Sequence, residues 1–268
     1  MTGDPLLYGG SAAYYARGRV PYPPELATAV ASALRLDGTG RLLDVGCGPG
    51  SLTLLLAPLF EAATGVDADP DMIAAARAAG PALDWRVLRA EELPADLGTF
   101  RVVTFAQSFH WMDRLRVAAA VHGMLEPGGA CVHVSATTHE GVDTDEPLPH
   151  PQPPRAEIRA LITRWLGEGR RAGRATMPTS EPPGGEDEVY RRAGFAGPAR
   201  VVVPGRVVSR TADEVVASVF SLSYAAPHLF GDRVAAFESE LRALLHEAAP
   251  AGVFSQQLRE IALDIWRP

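Results

Sequence analysis

The amino-acid sequence predicts an α/β fold in which helices cover both faces of a mostly parallel sheet. From residue 41, short apolar runs alternate with helical patterns, as in RLLDV, SLTLLLAPL, AATGVD, DPDMIAAARAAG and LDWRVL. Alternation of this kind is typical of βαβ units, in which each helix carries the chain back to begin the next parallel strand. A glycine-rich turn, GCGPG, joins the first of these strands to the first of these helices.

The remaining elements are predicted from their own patterns. FRVVTF and ACVHV supply two further strands, separated by the helical stretch DRLRVAAAVHGML and a turn at EPGG. Asp69 is a helix N-cap and Pro70 occupies the first helical position, where its missing N–H is harmless. Towards the C-terminus we expect helices in EDEVYRRAG, TADEVVASVFSLSY and DRVAAFESELRALLHEAA, a hairpin in ARVVVPGRVVSR and a last strand in REIALDIW.

Proline-rich segments divide the chain. DTDEPLPHPQPPR, residues 143–155, is too rich in proline for the interior of a helix or strand, and TSEPPGGEDE resembles it further on. These segments bound an insertion that contains an amphipathic helix. We therefore predict four regions: an N-terminal lid and first helix (1–40), the sheet core (41–138), an inserted cap (139–186), and a C-terminal completion of the sheet with helices (187–268).

Composition limits the classes of function. The chain has 268 residues, 47% of them hydrophobic, and a formal net charge of −7, which suits a globular protein and disfavours binding to a nucleic-acid backbone. The start lacks a basic and apolar leader, and no run approaches the roughly 18 apolar residues of a membrane span. We therefore expect a cytoplasmic protein with no membrane partner. Abundant alanine and arginine without any lysine indicate a GC-rich bacterial genome.

The two cysteines and seven histidines show no metal-binding pattern. No two histidines are spaced i, i+4 and there is no C-x-x-C pair, so we predict no metal site. Cys47 lies in the glycine turn and Cys131 in a predicted buried strand, and no disulfide is implied.

The glycine turn and two acidic residues predict a nucleotide-like cofactor. Gly46, Gly48 and Gly50 allow backbone to approach a ligand closely at a helix N-terminus, although the third glycine comes one residue too early for a dinucleotide motif. Asp44, just before the turn, would repel a pyrophosphate but suit an ammonium group. Asp67, at the end of the next strand, is placed to hydrogen-bond a ribose diol. S-adenosylmethionine (SAM), an adenosine with a cationic amino-acid tail, satisfies all three features.

Residues 41–135 resemble a class I SAM-dependent methyltransferase. LLDVGCGPG resembles that family's first motif, GVDADPDMIAAA its ribose-binding motif, LRAEELP its adenine-side motif, and VVTFAQSFHWMD with LEPGG its fourth and fifth strand regions. YARGRVPYP and QSFHWMD are similar to the type 11 group related to trans-aconitate methyltransferase, although Val20 and Arg101 depart from its pattern. The resemblance implies a Rossmann-like, seven-stranded sheet with an antiparallel C-terminal strand and a helical or loop cap.

The resemblance also implies SAM as the cofactor and S-adenosylhomocysteine as the product. We interpret the segment around Tyr14 and Tyr15 as a lid whose aromatic faces lie near the sulfonium, with Arg19 pairing with the methionine carboxylate; simple packing is the alternative. The full set of residues expected to contact the cofactor is Tyr15, Arg19, Asp44, Gly46, Cys47, Gly48, Gly50, Asp67, Ala68, Met72, Ala90, Glu91, Ala106 and Gln107.

His110 and Trp111 are the candidate catalytic residues. An imidazole titrates near neutral pH, and His110 follows the fourth strand, so it could act as a general base; a positioning role is the alternative. In RWLGEGRRAGR, the arginines Arg170, Arg171 and Arg174 form either an anion-binding loop above the acceptor or a solvated loop.

We therefore predict an enzyme that transfers a methyl group from SAM to a small-molecule acceptor, with a carboxylate or a phenol or hydroxyl oxygen favoured. A role in specialised metabolism and a monomer or homodimer are expected. The alternatives are N- or C-methylation, or a SAM-binding protein that catalyses a non-methylating reaction. An ionised carboxylate needs no base, whereas a phenol, alcohol or amine can require one.

Overall fold

The computed structural model describes residues 10–167, 171–172, 175–176 and 185–268, with the side chains of 171–172 and 175–176 left out. In these ranges the strands are β1 (Arg41–Val45), β2 (Ala62–Asp67), β3 (Asp84–Val87), β4 (Phe100–Ala106), β5 (Leu125–Ser135), β6 (Arg171–Ala172), β7 (Ala175–Thr176), β8 (Ala196–Val203), β9 (Val207–Thr211), β10 (Val253–Gln257) and β11 (Ile261–Arg267). The helices of the same ranges are α1 (Ala12–Gly18), α2 (Pro24–Leu34), α3 (Ser51–Leu56), α4 (Pro70–Ala79), α5 (Arg114–Met124), α6 (Arg155–Leu166), α7 (Gly185–Arg192), α8 (Ala212–Phe220) and α9 (Val234–Ala248).

Seven strands form the central sheet, in the order β3-β2-β1-β4-β5-β11-β8. Strands β1 to β5 pair in parallel. Strand β11 runs antiparallel to both of its neighbours, β5 and β8. The predicted mostly parallel, seven-stranded sheet with a reversed C-terminal strand is confirmed.

Apolar residues of the central strands pack on both faces of this sheet. Successive side chains of a strand point to opposite faces, so Leu43 joins the cluster that contains Val117 of α5, whereas Leu42 joins the cluster that contains Leu26 of α2 and Leu52 of α3. The strands are therefore buried on both sides, as parallel strands with helical crossovers require.

Two helices begin at the caps that their sequences encode. At α4, the carboxylate of Asp69 accepts hydrogen bonds from the backbone N–H groups of Asp71 (2.8 Å) and Met72 (3.4 Å). At α8, Thr211 and Glu214 form a reciprocal capping box, which satisfies two N–H groups that have no partner within the helix. The cap at Asp69 fixes the start of α4 directly after β2.

A third apolar cluster lies outside the sheet and joins three helices, α6, α8 and α9, which we call the helical unit. Ile158, Phe220, Phe237 and Leu241 are among its buried residues. Strand β10 pairs with β9 in a separate antiparallel ladder. The proline-rich connection lies beside β10, because the N–H of Ser255 donates to the carbonyl of Pro151.

Two sequence predictions were wrong. The stretch ARVVVPGRVVSR is not a hairpin, because β8 pairs with β11 and β9 pairs with β10. The chain crosses between the two sheets at Gly205, where an added Cβ would lie 2.2 Å from the carbonyl oxygen of Leu258. The EPGG segment is not a turn but part of β5, with a register irregularity opposite Phe100 to Val102; at Gly129 an added Cβ would lie 3.0 Å from the carbonyl oxygen of Arg101.

Within the described residues, no helix combines the length and apolar character needed to cross a bilayer. Cys47 and Cys131 are both free and buried. Most of the predicted loop at 164–174, and TSEPPGG except for its last residue, lie outside the described residues.

Candidate functional site

A cavity of about 250 Å³ lies at the carboxyl ends of β1, β2, β3 and β4. This is the edge at which doubly wound sheets bind their ligands. Eleven of the sixteen predicted site residues line it: Tyr15, Gly46, Gly48, Asp67, Ala68, Met72, Ala90, Glu91, Ala106, Gln107 and Trp111. The other five do not line it: Arg19, Asp44, Cys47, Gly50 and His110.

The three glycines of the turn have positive φ angles but serve different purposes. At Gly48 (φ +55°) an added Cβ would meet nothing within 4 Å, so this position opens towards the cavity. At Gly46 (φ +69°) an added Cβ would lie 2.5 Å from Cβ of Ser108, whose hydroxyl donates to the carbonyl of Val45 at 2.7 Å. At Gly50 (φ +84°) it would lie 2.4 Å from the ring of Trp85. The missing side chain therefore leaves open space at Gly48, whereas at Gly46 and Gly50 it admits protein groups.

Asp67 ties the glycine turn to the end of β2. Its carboxylate accepts hydrogen bonds from the backbone N–H groups of Gly48 (2.8 Å) and Asp69 (2.9 Å), and burial raises its pKa above the ordinary value. Each carboxylate oxygen can accept a second hydrogen bond. The side chain therefore shapes the turn and still presents acceptor capacity to the cavity.

Asp44 lies beneath the turn and not on the cavity wall. The residue is 1% exposed, and its two oxygens accept hydrogen bonds from the hydroxyls of Thr53 (2.6 Å) and Thr104 (2.8 Å). Burial raises the pKa of Asp44 to about 6. The hydrogen bonds from the two threonine hydroxyls lower this pKa, and the charge of Asp67 raises it. Cys47 is also behind the wall, packed with Ile73 of α4, and burial raises the pKa of its thiol well above the ordinary value.

Another part of the cavity lining combines an apolar surface with a carboxylate. Met72, Leu88 and Ala90 line it together with Glu91. An oxygen of Glu91 accepts a hydrogen bond from the backbone N–H of Asp113 at 3.0 Å. This bond fixes the short turn after β3 against the start of α5, so this part of the wall has a defined position.

Gln107 follows β4 in a left-handed backbone conformation, with φ of +56°. A residue with a Cβ pays about 1 to 2 kcal/mol for that conformation. Gln107 also lines the cavity, and backbone strain of this kind is concentrated at functional sites. The strained turn therefore lies on the cavity wall, between Ala106 and Ser108.

Arg19 holds two helices together instead of facing the cavity. Its guanidinium donates to the hydroxyl and carbonyl oxygens of Ser221, both at 2.9 Å, and lies 3.1 Å from Nδ1 of His139. It also lies over the ring of Tyr15, 4.6 Å from the ring centroid. Burial and the charge of Arg19 lower the pKa of His139 to about 3, so this histidine is neutral and accepts from Arg19 through Nδ1. No sequence motif marks His139.

Trp111, and not His110, reaches the cavity wall. The two rings pack together with centroids 4.7 Å apart, and His110 is exposed. The side chains of Arg170, Arg171 and Arg174 lie outside those described. In the described part of the chain, no three histidine, cysteine, aspartate or glutamate side chains are grouped so that they could hold a metal ion.

Sequence reasoning missed five residues of the wall: Asp69, Leu88, Arg89, Ser108 and Met112. All lie within or beside the motifs that carried the prediction, namely VDADP, LRAEELP and QSFHWMD. The motifs locate the segments, but the direction of each side chain depends on the local turn. Adjacency to a predicted site residue is therefore the sequence signal that could have identified these five residues.

The cavity position, the strand order and a family match define the class of this domain. Residues 42–129 match a family model described as a methyltransferase domain. Together with the seven-stranded sheet, the match identifies the core as a class I SAM-dependent methyltransferase domain. An uncharacterized methyltransferase of Mycobacterium tuberculosis is 36% identical over 124 residues, which are 46% of this chain and 49% of that protein. The chain thus spans about half the length of the curated relatives it matches.

Two quinone-biosynthesis enzymes are similar to part of this chain at the same identity. A ubiquinone/menaquinone C-methyltransferase of Desulfotalea psychrophila is 36% identical over 105 residues (37% of this chain, 43% of that protein). A ubiquinone O-methyltransferase of Xanthomonas campestris is 36% identical over 106 residues (37% and 44%). Among solved structures, the YcgJ protein of Bacillus subtilis superposes with a TM-score of 0.51 at 15% identity, covering 91% of this chain and 98% of that one; this likeness concerns the fold.

Proposed function

We propose that the protein transfers a methyl group from SAM to an oxygen atom of a small-molecule acceptor, with a carboxylate favoured. The observation that carries the proposal is the cavity wall, where the Asp67 carboxylate, the open Gly48 and an apolar slot lie together at the carboxyl ends of the parallel strands. We further propose a cytoplasmic monomer or homodimer that acts in specialised metabolism.

The described residues suit the parts of SAM. Asp67 retains acceptor capacity for ribose hydroxyls, and the surface of Met72, Leu88 and Ala90 suits an adenine ring. The rings of Tyr15 and Trp111 on the same wall suit a sulfonium, because aromatic faces attract cations. Bound SAM supplies an electrophilic methyl group. The chain's own groups then have to bind the two substrates, orient the acceptor in line with the bond that breaks, and exclude water.

The groups on the cavity wall favour one class of acceptor. The carboxylates of Asp67 and Glu91 already accept backbone N–H bonds, and His110 does not line the cavity. This arrangement favours an acceptor that is already ionised, such as a carboxylate, because it needs no base. Relatives named as a C- and an O-methyltransferase are equally identical to this chain, so this similarity does not favour one acceptor atom over the other. We propose that the helical unit and the insertion at 139–186 hold the acceptor.

The first test is calorimetric titration with SAM and S-adenosylhomocysteine. Asp67→Asn should weaken binding at least about tenfold. The carboxylate offers two charged acceptor oxygens to the ribose hydroxyls, whereas the amide offers a single neutral one. Asp71→Asn is the matched control, since this exposed carboxylate of α4 does not line the cavity and its loss should leave affinity unchanged. Absence of binding by the wild-type protein would contradict the proposal.

The second test separates methyl transfer from a reaction in which SAM is only bound. The protein is incubated with SAM and small carboxylic acids or phenols, and S-adenosylhomocysteine is quantified. Its accumulation with carboxylic acids supports the proposal. Binding of SAM with consumption of an acceptor but no S-adenosylhomocysteine would indicate a non-methylating reaction.

A further inference from the structure

Both ends of α1 are bound to the C-terminus of α8. The hydroxyl of Ser11, just before α1, donates to the carbonyl of Phe220 at 2.9 Å, and Arg19, just after α1, donates to the hydroxyl and carbonyl oxygens of Ser221. The last carbonyls of a helix have no partner within it. Residues that flank α1 therefore donate hydrogen bonds to the last carbonyls of α8. In addition, the ring of Tyr14 packs on that of Phe220, with the ring centroids 4.9 Å apart.

Between its two ends, α1 contacts the backbone of α8 directly. An added Cβ on Gly18 would lie 2.4 Å from the carbonyl oxygen of Ala217, so only glycine permits the approach. Arg210, which is 4% exposed, donates to the carbonyls of Gly18 (3.0 Å) and Glu214 (2.9 Å). Separating the helices would break the hydrogen bonds of Ser11, Arg19 and Gly18 to groups on or beside α8, each of which contributes to stability.

One side chain connects this pair of helices to the cofactor cavity. Tyr15 of α1 lines the cavity, whereas no described residue of α6, α8 or α9 does. Helix α8 shares its apolar cluster with α6 and α9. Helix α1 packs mainly on α8, with a smaller contact to α4, so the cavity wall at Tyr15 is joined more closely to the helical unit than to the sheet.

We propose that α1 and the helical unit move as one body, so that a ligand contacting Tyr15 in the cofactor cavity also stabilises α8. The inference rests on the proposed function, in which that ligand is SAM or S-adenosylhomocysteine and the acceptor is held by the helical unit. Binding couplings are reciprocal, so an acceptor bound to the helical unit strengthens cofactor binding by the same factor.

Hydrogen exchange with and without S-adenosylhomocysteine tests the coupling. We expect exchange in the wild-type protein to slow at the glycine turn, in α1 and in α8, by at least about fivefold in α8, the lower end of common coupling factors. Strand β8, at the far edge of the sheet, is the reference for general stabilisation and should change less than α8. In Gly18→Ala, the added methyl group meets backbone of α8, so the slowing in α8 should vanish while that at the glycine turn remains.

Gly123→Ala is the matched control, because an added Cβ at this exposed helical glycine meets nothing within 4 Å; it should show the wild-type pattern. Ser11→Ala removes a single hydrogen bond and should weaken the α8 response in the same direction, which covers the case in which Gly18→Ala does not fold. Slowing at the glycine turn without any in α1 and α8, or an unchanged α8 response in Gly18→Ala, would overturn the inference alone. No slowing anywhere would overturn the proposed function together with it.

Discussion

Replacing Asp44 with asparagine should stabilise the protein at neutral pH much more than in acid. The carboxyl group has a pKa of about 6 in the folded protein against an ordinary value of 3.8, chiefly because it is buried. The folded state therefore holds the proton more tightly than the unfolded chain does. As pH rises through this range, ionisation costs stability, and an amide at the same position carries no such cost.

The size of the effect follows from the two pKa values. With 3.8 in the unfolded chain and about 6 in the folded protein, ionisation costs about 0.5 kcal/mol at pH 4 and about 3 kcal/mol at pH 8. The stability difference between Asp44→Asn and the wild type should therefore increase by about 2 to 3 kcal/mol over that range. The amide offers one acceptor oxygen to the hydroxyls of Thr53 and Thr104 instead of two, which adds a penalty that does not depend on pH.

Urea unfolding of both proteins at pH 4, 5, 6, 7 and 8 measures the difference, and Asp71→Asn, at an exposed position, shows the effect of removing a carboxylate without burial. A difference that stays constant with pH would refute the reasoning, because it would mean that the threonine hydroxyls fully compensate the burial of Asp44. If the ammonium group of the cofactor approaches Asp44, saturating S-adenosylhomocysteine should flatten the dependence, since a nearby cation favours the ionised form.

Two further predictions concern the glycine turn and a buried hydrogen bond. Gly50→Ala should lower the free energy of unfolding by about 1 to 3 kcal/mol more than Gly48→Ala, because both have positive φ but only Gly50 faces the ring of Trp85; equal losses in thermal or urea unfolding would contradict this. Tyr190→Phe should cost about 1 to 3 kcal/mol, because it removes the hydroxyl 3.1 Å from Nδ1 of His133, a residue only 8% exposed; a loss below about 0.5 kcal/mol in urea unfolding would show that the bond contributes little.

The features predicted correctly from the sequence are those that depend on local patterns of residues. The parallel strands, the cap at Asp69 and the placement of Gly48 and Asp67 on one wall all follow from short segments whose spacing is itself the physical cause. Strand alternation and cap chemistry operate over a few residues, so they can be read without knowing the rest of the fold.

The sequence could not supply contacts made by distant segments. Gly50 was expected to make room for a ligand, but it makes room for Trp85, which arrives on β3. Arg19 was expected to pair with a carboxylate, but Ser221, which is 202 positions away, occupies its guanidinium. The predicted hairpin was wrong for the same reason. The two strands on either side of Gly205 pair with later strands, β8 with β11 and β9 with β10, and not with each other.

The contact between α1 and α8 also affects the order in which the chain folds during synthesis. Ser11 and the carbonyl that it caps are 209 positions apart. At a translation rate of about 5 to 20 residues per second, α1 emerges from the ribosome roughly 10 to 40 s before its partner helix exists. The sheet core can form in that interval, since β1 to β5 end at Ser135. Phe220, on which the ring of Tyr14 packs, does not exist during that interval, so the contact between α1 and α8 forms only after the segments that make the rest of the cavity wall have been synthesised.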